Sequence, residues 1–513
     1  MTTAADLTLS PLSPAKLDKV LTLFDSTMIV VGSMIGSGIF IVSADISRQV
    51  QSPALLIAAW LVSGLMTLLC ALSYAELSAA LPEAGGQYAF LRTSLGPLWG
   101  FLYGWSMLTV IQTATIAAVA IAFAKFTGVL VPWFSSTAWI VKLGTFGPFE
   151  LFGFALGPYN VGLSTQNLLA ILLIILLTFV NSRGLKTGAR VQNLFTVLKT
   201  AAVLGLILLA FVFGTDQAQS LNLAGFWDNA GLFAEHAYRG GAEPVMVSGL
   251  TLLAVAMVGS LFSADAWNNV TFTAAEVENP QKNLPRALAL GVGLVTVVYV
   301  IANVAYLNVL PLVGAADGAT PIARGIQFAA EDRVGTATAE VIFGAQGAVI
   351  MAVAIMISTF GCNNGLILAG ARVYYAMAKD GLFFRAIGTV SDRHVPKAAL
   401  VLQAVWASVL CLSGTYGQLL DFIIFAVLLF YILTIIGLFV LRRRRPDLPR
   451  PYKVIGYPYL PALYIVMAAF IEIQLLRYKP QYTWPGLCLV LVGIPVYYLW
   501  RRRPATAAAN HQA

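Results

Sequence analysis

Two short stretches hold the residues best suited to chemistry. The first reads Val31-Gly32-Ser33-Met34-Ile35-Gly36-Ser37-Gly38-Ile39-Phe40, with three glycines within seven residues near the middle of an apolar span. Each glycine weakens a helix by about 1 kcal/mol relative to alanine. The second reads Gly259-Ser260-Leu261-Phe262-Ser263-Ala264-Asp265-Ala266-Trp267-Asn268-Asn269 and sets a carboxylate and two asparagines inside another apolar span. A charge at the centre of a membrane helix costs about 2.5–3.5 kcal/mol on insertion scales, so it faces a cavity or a partner. Close packing is one reading of Gly36 and Gly38, since small residues let backbones approach. A helix broken at the midplane is the other. A break exposes N–H groups at the start of one half and carbonyls at the end of the other. The first attract anions and the second attract cations. A zwitterion matches that arrangement. Ser37 and Gly38 would offer N–H groups, and Ser37 its hydroxyl, to a carboxylate. The carbonyls of Met34, Phe262 and their neighbours would accept from an ammonium. Such a site reads the head group of an α-amino acid and leaves the side-chain pocket to set selectivity.

The rest of the chain must hold these stretches in a bilayer. Of its 513 residues 59% are hydrophobic and only 11% charged, with a net charge of +8. A soluble domain carries about 25% charged residues. This composition excludes a soluble enzyme, a disordered chain and a secreted disulfide scaffold. Cys70, Cys362, Cys411 and Cys488 all fall in apolar runs, so neither a disulfide framework nor a zinc site is expected. His236, His394 and His511 lack metal-like spacing, and no catalytic constellation, cofactor or metal is expected. Apolar spans near the ~20 residues needed to cross a membrane lie at 22–48, 53–80, 97–127, 166–182, 192–213, 247–275, 286–310, 340–371, 397–414, 419–441, 457–477 and 483–500. They are continuously apolar, where barrel strands alternate. The expected fold is an all-α membrane protein of twelve transmembrane helices.

Charge gives these helices a side. With the N-terminus in the cytoplasm, 22 lysines and arginines fall in inner segments and 7 in outer ones. Inner segments are the basic ones, so both tails are expected in the cytoplasm. The basic excess then signals orientation rather than nucleic-acid binding. The run Arg442–Arg445 reads as a topology anchor rather than a lipid-recognition site. Residues 1–20 read as a polar tail, not a cleavable signal peptide, and 501–513 as a second tail. The two interrupted spans are the first and the sixth. An inverted repeat of five plus five helices, about 21–213 and 247–441 within a core of 21–441, gives them matching positions. Interrupted segments so placed are the sequence pointer to a transporter binding site. Helices eleven and twelve, within 442–500, are additions outside the repeat.

Four motifs in order carry a resemblance to a known family. Gly32 to Phe40 resembles the first-helix signature of the amino acid–polyamine–organocation transporters. Tyr74-Ala75-Glu76-Leu77 with Gly85-Gly86-Gln87-Tyr88-Ala89-Phe90 resembles the end of their second helix and the segment after it. Trp267-Asn268-Asn269 and Glu276-Val277-Glu278-Asn279-Pro280-Gln281-Lys282-Asn283-Leu284-Pro285 resemble the sixth helix and its inner exit. Ser358-Thr359-Phe360-Gly361-Cys362-Asn363-Asn364-Gly365 with Ala371-Arg372 resembles helix eight. The similarity runs from about residue 20 to 455, and the branch resembled is that of the L-type amino acid transporters, sodium-independent exchangers of neutral amino acids. The resemblance implies helices one and six unwound at the midplane. It implies that Ser37 and Gly38 bind the substrate carboxylate, that the carbonyls of Met34 and Phe262 face its amino group, and that Phe262 is an aromatic gate. Ile35, Gly36, Ser263 and Ala264 fall in the same unwound segments. Asn268 matches a polar residue below the break in helix six, or else bridges helices.

Lys199 lies inside the apolar run Leu194–Phe213. By itself it reads as a lysine snorkelling to the interface. The resemblance instead implies a lysine bridging helices one and eight where sodium-coupled relatives bind a cation. Lys125 reads as snorkelling at an outer helix end. Two departures from the family stand out. Asp265 replaces a glycine, and either caps exposed N–H groups or approaches the substrate amine. The outer loop Gly128 to Gln166 lacks the cysteine through which animal members bind a glycoprotein, so no disulfide-linked heavy subunit is expected. Glu276, Glu278, Lys282, Arg286 and Arg372 form inner-gate ion pairs or are solvated loop charges; Glu76 and Glu83 are equally open. The resulting expectation is a secondary transporter of the bacterial inner membrane, exchanging neutral L-amino acids without sodium. Proton-coupled or cationic amino acid or polyamine uptake is the alternative within transport, and a non-transporting amino-acid sensor is the alternative from another class.

Overall fold

The computed structural model describes residues 19–147, 149–151, 154–156, 159–238, 244–391, 395–412 and 416–501. The tail residues 1–18 and 502–513, with His511, and also Arg239, Arg393 and His394, lie outside them. The first apolar span is two helices, α1 (Leu23–Met34) and α2 (Gly38–Val50), separated at Ile35-Gly36-Ser37. A capping box starts α1: Thr22 Oγ1 accepts from the Asp25 N–H, and the Asp25 carboxylate accepts from the Thr22 N–H at 3.0 Å. Proline sits in the first turn of α3 (Pro53–Ala80), where its missing N–H costs nothing. After the short α4 (Gln87–Leu95), a third span runs through α5 (Pro97–Ser106), a π-helical turn at Met107–Ile111 and α6 (Gln112–Leu130).

The following connection is not helical. Strands β1 (Trp139–Phe146) and β4 (Tyr159–Ser164) pair antiparallel, enclosing β2 (Phe149–Leu151) and β3 (Phe154–Leu156). Then come α7 (Thr165–Ser182), α8 (Leu185–Val212) and α9 (Asp216–Ala224), and a second hairpin of β5 (Glu235–Tyr238) and β6 (Val245–Ser248). The chain is therefore not wholly helical, as its composition suggested. Short strands in the connections between spans leave no mark in a 20-residue hydropathy window.

The sixth span is short pieces: α10 (Gly249–Ala256), α11 (Val258–Ser263) and, beyond a break at residues 264–268, α12 (Asn269–Phe272). Ala266 in the break has a left-handed φ of 63°, uncommon for a residue with a Cβ. The remainder is α13 (Pro280–Val309), α14 (Pro321–Arg324), α15 (Val334–Phe343), α16 (Ala345–Lys379), α17 (Lys397–Leu410), α18 (Tyr416–Arg444), α19 (Tyr459–Tyr478) and α20 (Pro480–Arg501). Span 340–371 is thus the end of one helix and most of another, turned apart at Gly344 with φ 67°. Among the described residues, ten helical segments are long and apolar enough to cross a membrane. The broken sixth span and the 14-residue α17 are shorter.

Helix α1 packs against α8, α13 and α16. Gly291 of α13 makes this approach possible, since a Cβ there would fall 2.5 Å from Val30 Cγ1. Ion pairs tie both ends of the bundle. At the basic end, Arg372 and Glu276, each about 1% exposed, meet at 3.1 and 3.2 Å. Glu76 accepts from Arg442 Nε at 2.8 Å and from the Val454 N–H at 2.8 Å, with Arg450 at 3.5 Å. Arg442 is thus turned inward, so the arginine run is more than an anchor. Arg92 bridges Glu83 and Asp380, and burial and the Asp380 carboxylate push the Tyr88 phenol beside them well up. The chain entering α1 is pinned here too, with the Val20 and Leu21 N–H groups on the Glu276 carbonyl at 2.9 and 3.0 Å. At the opposite end Arg48 holds Asp332 at 2.6 Å, and Lys125 donates to the Glu331 carbonyl at 2.8 Å rather than only snorkelling.

Removing one partner of a buried ion pair strands the other charge, at a cost of about 3–5 kcal/mol. Glu276→Gln is therefore expected to lower the thermal unfolding midpoint sharply in lipid nanodiscs. The double substitution Glu276→Gln with Arg372→Met is expected to recover most of that loss. Equal losses in both proteins would show that the pair is not what holds this end.

Candidate functional site

The break in helix one leaves the carbonyls of residues 32–36 without helical partners, and side chains from three helices answer them. The Lys199 ammonium of α8 donates to the Gly32 carbonyl. The Cys362 thiol of α16 donates to Ser33 O at 3.1 Å. The Tyr299 phenol of α13 donates to Met34 O at 2.8 Å. The Ser358 hydroxyl of α16 lies 3.3 Å from both Ile35 O and Gly36 O. All four donor residues are buried, and Lys199 is 0% exposed. Lys199 does not snorkel; its ammonium ends on the carbonyl end of α1. The hydrogen bond runs to helix one, and α16 reaches the same turn through Cys362 and Ser358.

Small residues permit this convergence. A Cβ on Gly36 would meet Cys362 Sγ at 3.1 Å, and one on Gly32 would meet Thr196 Oγ1 at 2.3 Å. A Cβ on Gly38 would fall 2.0 Å from Ser263 Oγ and 2.8 Å from Ser263 Cβ. Close packing and a broken helix are thus both present at these glycines. Gly38 is one point where the two broken spans touch, and Gly259 against Val42 is another.

Between them lies a cavity of about 310 Å³, lined by Met34, Gly36, Ser37 and Gly38 on one side and Phe262, Ser263, Asp265 and Ala266 on the other. The structure thereby gathers most of the sequence-expected residues around one space. Ile35 and Ala264 do not line it; Ala264 lines a neighbouring cavity of about 290 Å³ with Cys70, Asp265, Tyr431 and Tyr464. The Met34 carbonyl already serves Tyr299, and the Phe262 carbonyl accepts the Asp265 N–H at 3.1 Å. The first N–H groups of α2, from Gly38 on, start beside this cavity.

A second cavity of about 330 Å³ adjoins the first at Thr115, Asp265 and Ala266. Met107 and Ile111 line it from the π-helical turn, a feature that recurs at functional sites. Phe272, Leu366 and Val427 make much of it apolar. Asp265 lines both cavities, and its carboxylate accepts from the Tyr431 phenol at 2.5 Å. Asn268 sits at the cap position of α12 without a side-chain capping bond, and the Asp265 carboxylate accepts from the Ala266 N–H within the break. Asn268 Nδ2 donates to Gln87 Oε1 at 2.9 Å, and Gln87 Nε2 to Thr434 Oγ1 at 3.1 Å, so Asn268 bridges helices while also lining the second cavity. Tyr74, Trp267 and Tyr431 pack edge-on and tilted behind it, with centroids 4.8 to 5.7 Å apart.

Sequence reasoning gave no role to Tyr299, Ser358, Cys362, Gln87 or Tyr431. Their signal is a hydrogen-bonding group inside an apolar span, and each now has a backbone or side-chain partner in a broken helix or beside one.

Apolar spanning helices, two of them broken beside a shared cavity, define a multi-pass membrane permease rather than an enzyme. The chain belongs to the amino acid permease family, which matches residues 21–494. Within it the chain falls in the L-type amino acid transporter-like branch of the amino acid–polyamine–organocation superfamily. It is 31% identical over 492 residues to the large neutral amino acids transporter small subunit 2 of Oryctolagus cuniculus, covering 95% of this chain and 82% of that one. It is 28% identical over 496 residues to the Asc-type amino acid transporter 1 of Mus musculus, covering 95% and 83%. It is 28% identical over 516 residues to the b(0,+)-type amino acid transporter 1 of Mus musculus, covering 98% and 93%.

Overpacking a tight crossing costs about 1–3 kcal/mol. Gly38→Ala pushes against the Ser263 Cα at 3.2 Å as well as its side chain, so the backbone must move. Its thermal unfolding midpoint is expected to fall, and binding of a labelled amino acid to weaken at least about tenfold, since 1.4 kcal/mol is a factor of ten. Gly205→Ala, where a Cβ meets open space, is expected to change neither.

Proposed function

We propose that the chain is a secondary transporter that exchanges neutral L-amino acids by alternating access, without sodium. The observation that carries this reading is the pair of helix breaks facing one cavity, with an N–H end and a carbonyl end arranged for a zwitterion. The names of the relatives, a large neutral amino acids transporter subunit and an Asc-type amino acid transporter, point to the same class of cargo. The adjoining apolar cavity is where a substrate side chain would go. Lys199 supports sodium independence, since a fixed ammonium occupies the carbonyl end that would otherwise favour a cation. In this reading twelve helices cross the membrane as an inverted five-plus-five repeat with two added helices. Both tails are cytoplasmic, the basic end is the inner end, and Glu276–Arg372 belongs to the inner gate. Ser37 and Gly38 bind the substrate carboxylate, the Met34 and Phe262 carbonyls face the ammonium, and Phe262 closes over both. No disulfide-linked heavy subunit is required.

A second reading concerns side-chain charge. The Asp265 carboxylate lines both cavities, and a cationic side chain in the second would meet it.

Trans-stimulated uptake into proteoliposomes tests both readings with a panel of labelled amino acids, with and without sodium and pH gradients. Neutral L-amino acids are expected to enter faster when the same class is loaded inside, with no response to sodium. Uptake that requires a sodium gradient would contradict the reading, and binding without flux would make the chain a sensor. Strong arginine uptake abolished by Asp265→Asn would favour the second reading.

A further inference from the structure

We propose that the chain carries a second amino-acid site, away from the broken helices, at the end opposite the basic end. A cavity of about 470 Å³ opens there, lined in part by Val129, Arg324, Arg333, Thr336, Ala337 and Glu340. It is larger than either cavity beside the breaks. The Thr336 side chain is 7% exposed, and its hydroxyl has no partner among the described residues. Buried hydroxyls are ordinarily hydrogen-bonded, so this one is an acceptor and donor awaiting a ligand.

The groups around it sort by charge. Thr336 is the third residue of α15, a ten-residue helix whose cap residue is Arg333. The first-turn N–H groups of such a helix lack intrahelical partners and favour an anion. Arg324, whose Nε is held by the Gly318 carbonyl at 2.7 Å, lines the same space. Guanidinium forks match a carboxylate. Arg333 also lies 3.3 Å from Glu331, so part of its charge is already answered. One turn beyond Thr336, on the same face of α15, comes Glu340. A phosphate or another polyanion would be repelled by that carboxylate. A group with a carboxylate at one end and an ammonium at the other satisfies Arg324, Thr336 and Glu340 together. Asp332 and Glu331 do not compete for the ammonium, because Arg48 and the Lys125–Arg333 pair engage them. Val129 and Ala337 offer an apolar wall to a neutral side chain. The ligand class is the zwitterion assigned to the broken helices, and the inference rests on that functional reading.

The test is equilibrium dialysis of the full chain in lipid nanodiscs with labelled L-leucine and L-alanine, run beside flux in proteoliposomes. Two molecules per chain are expected in the wild type. Glu340→Gln and Arg324→Gln are each expected to reduce this to one, with Arg324→Lys intermediate. Val129→Trp, which fills the cavity from its apolar wall, gives the same result if a charge variant does not fold. Flux with one molecule per wild-type chain overturns the second site alone, as does a count of two that survives Glu340→Gln. A second site emptied by inorganic phosphate but not by alanine overturns its assignment to amino acids. Neither binding nor flux of either amino acid overturns the functional reading, and this site with it.

Discussion

A backbone carbonyl with no hydrogen-bond donor costs several kcal/mol inside a bilayer, because no water is there to replace the partner. Breaking helix one creates five such carbonyls in a row, from Gly32 to Gly36. Much of the surrounding architecture answers that one demand. Lys199, Tyr299, Ser358 and Cys362 come from α8, α13 and α16, and each must reach the same turn. Their helices can approach so closely because Gly32, Gly36 and Gly291 carry no Cβ. The glycines therefore do two things at once: they weaken the helix where it breaks, and they admit the donors that make the break tolerable.

The break in helix six is held by different neighbours. Asp265 is met by Tyr431 of α18, and Asn268 by Gln87 of α4, which in turn reaches Thr434 of α18. So the carbonyl end of helix one leans on α8, α13 and α16, while the break in helix six leans on α4 and α18. The two groups touch at the Gly38–Ser263 and Gly259–Val42 crossings, among other contacts, and are tied at the basic end by Glu276 with Arg372 and with the Val20 and Leu21 N–H groups. A structure in which one group rocks against the other can keep both breaks hydrogen-bonded.

Much of this was legible in the residues. Glycines at 32, 36 and 38, and Asp265 with two asparagines in an apolar span, marked both breaks, because a polar or flexible residue at bilayer depth has few uses other than a cavity. The motif around Trp267 and that around Cys362 led to the family. Other features were not legible. The partner of Asp265 is 166 residues away, and no local pattern distinguishes Tyr431 from other tyrosines. Lys199 by itself reads as a snorkelling lysine; the resemblance turned it toward helix one, and its ammonium donates to the Gly32 carbonyl. For Glu76 and Glu276 an ion pair and a solvated charge stayed equally open, because their arginines arrive from distant helices. The strand hairpins between the spans escaped a reading based on apolar spans altogether.

The central claim is that the Lys199 ammonium holds the carbonyl end of helix one in place of a bound cation. Binding of labelled L-leucine to the protein in nanodiscs, compared for wild type and Lys199→Ala across a titration of sodium against choline chloride, tests it most directly. The account predicts that wild-type affinity is indifferent to sodium and that Lys199→Ala binds at least about tenfold more weakly, a loss of about 1.4 kcal/mol or more. Wild-type affinity that rises with sodium, or unchanged binding in Lys199→Ala, would contradict it.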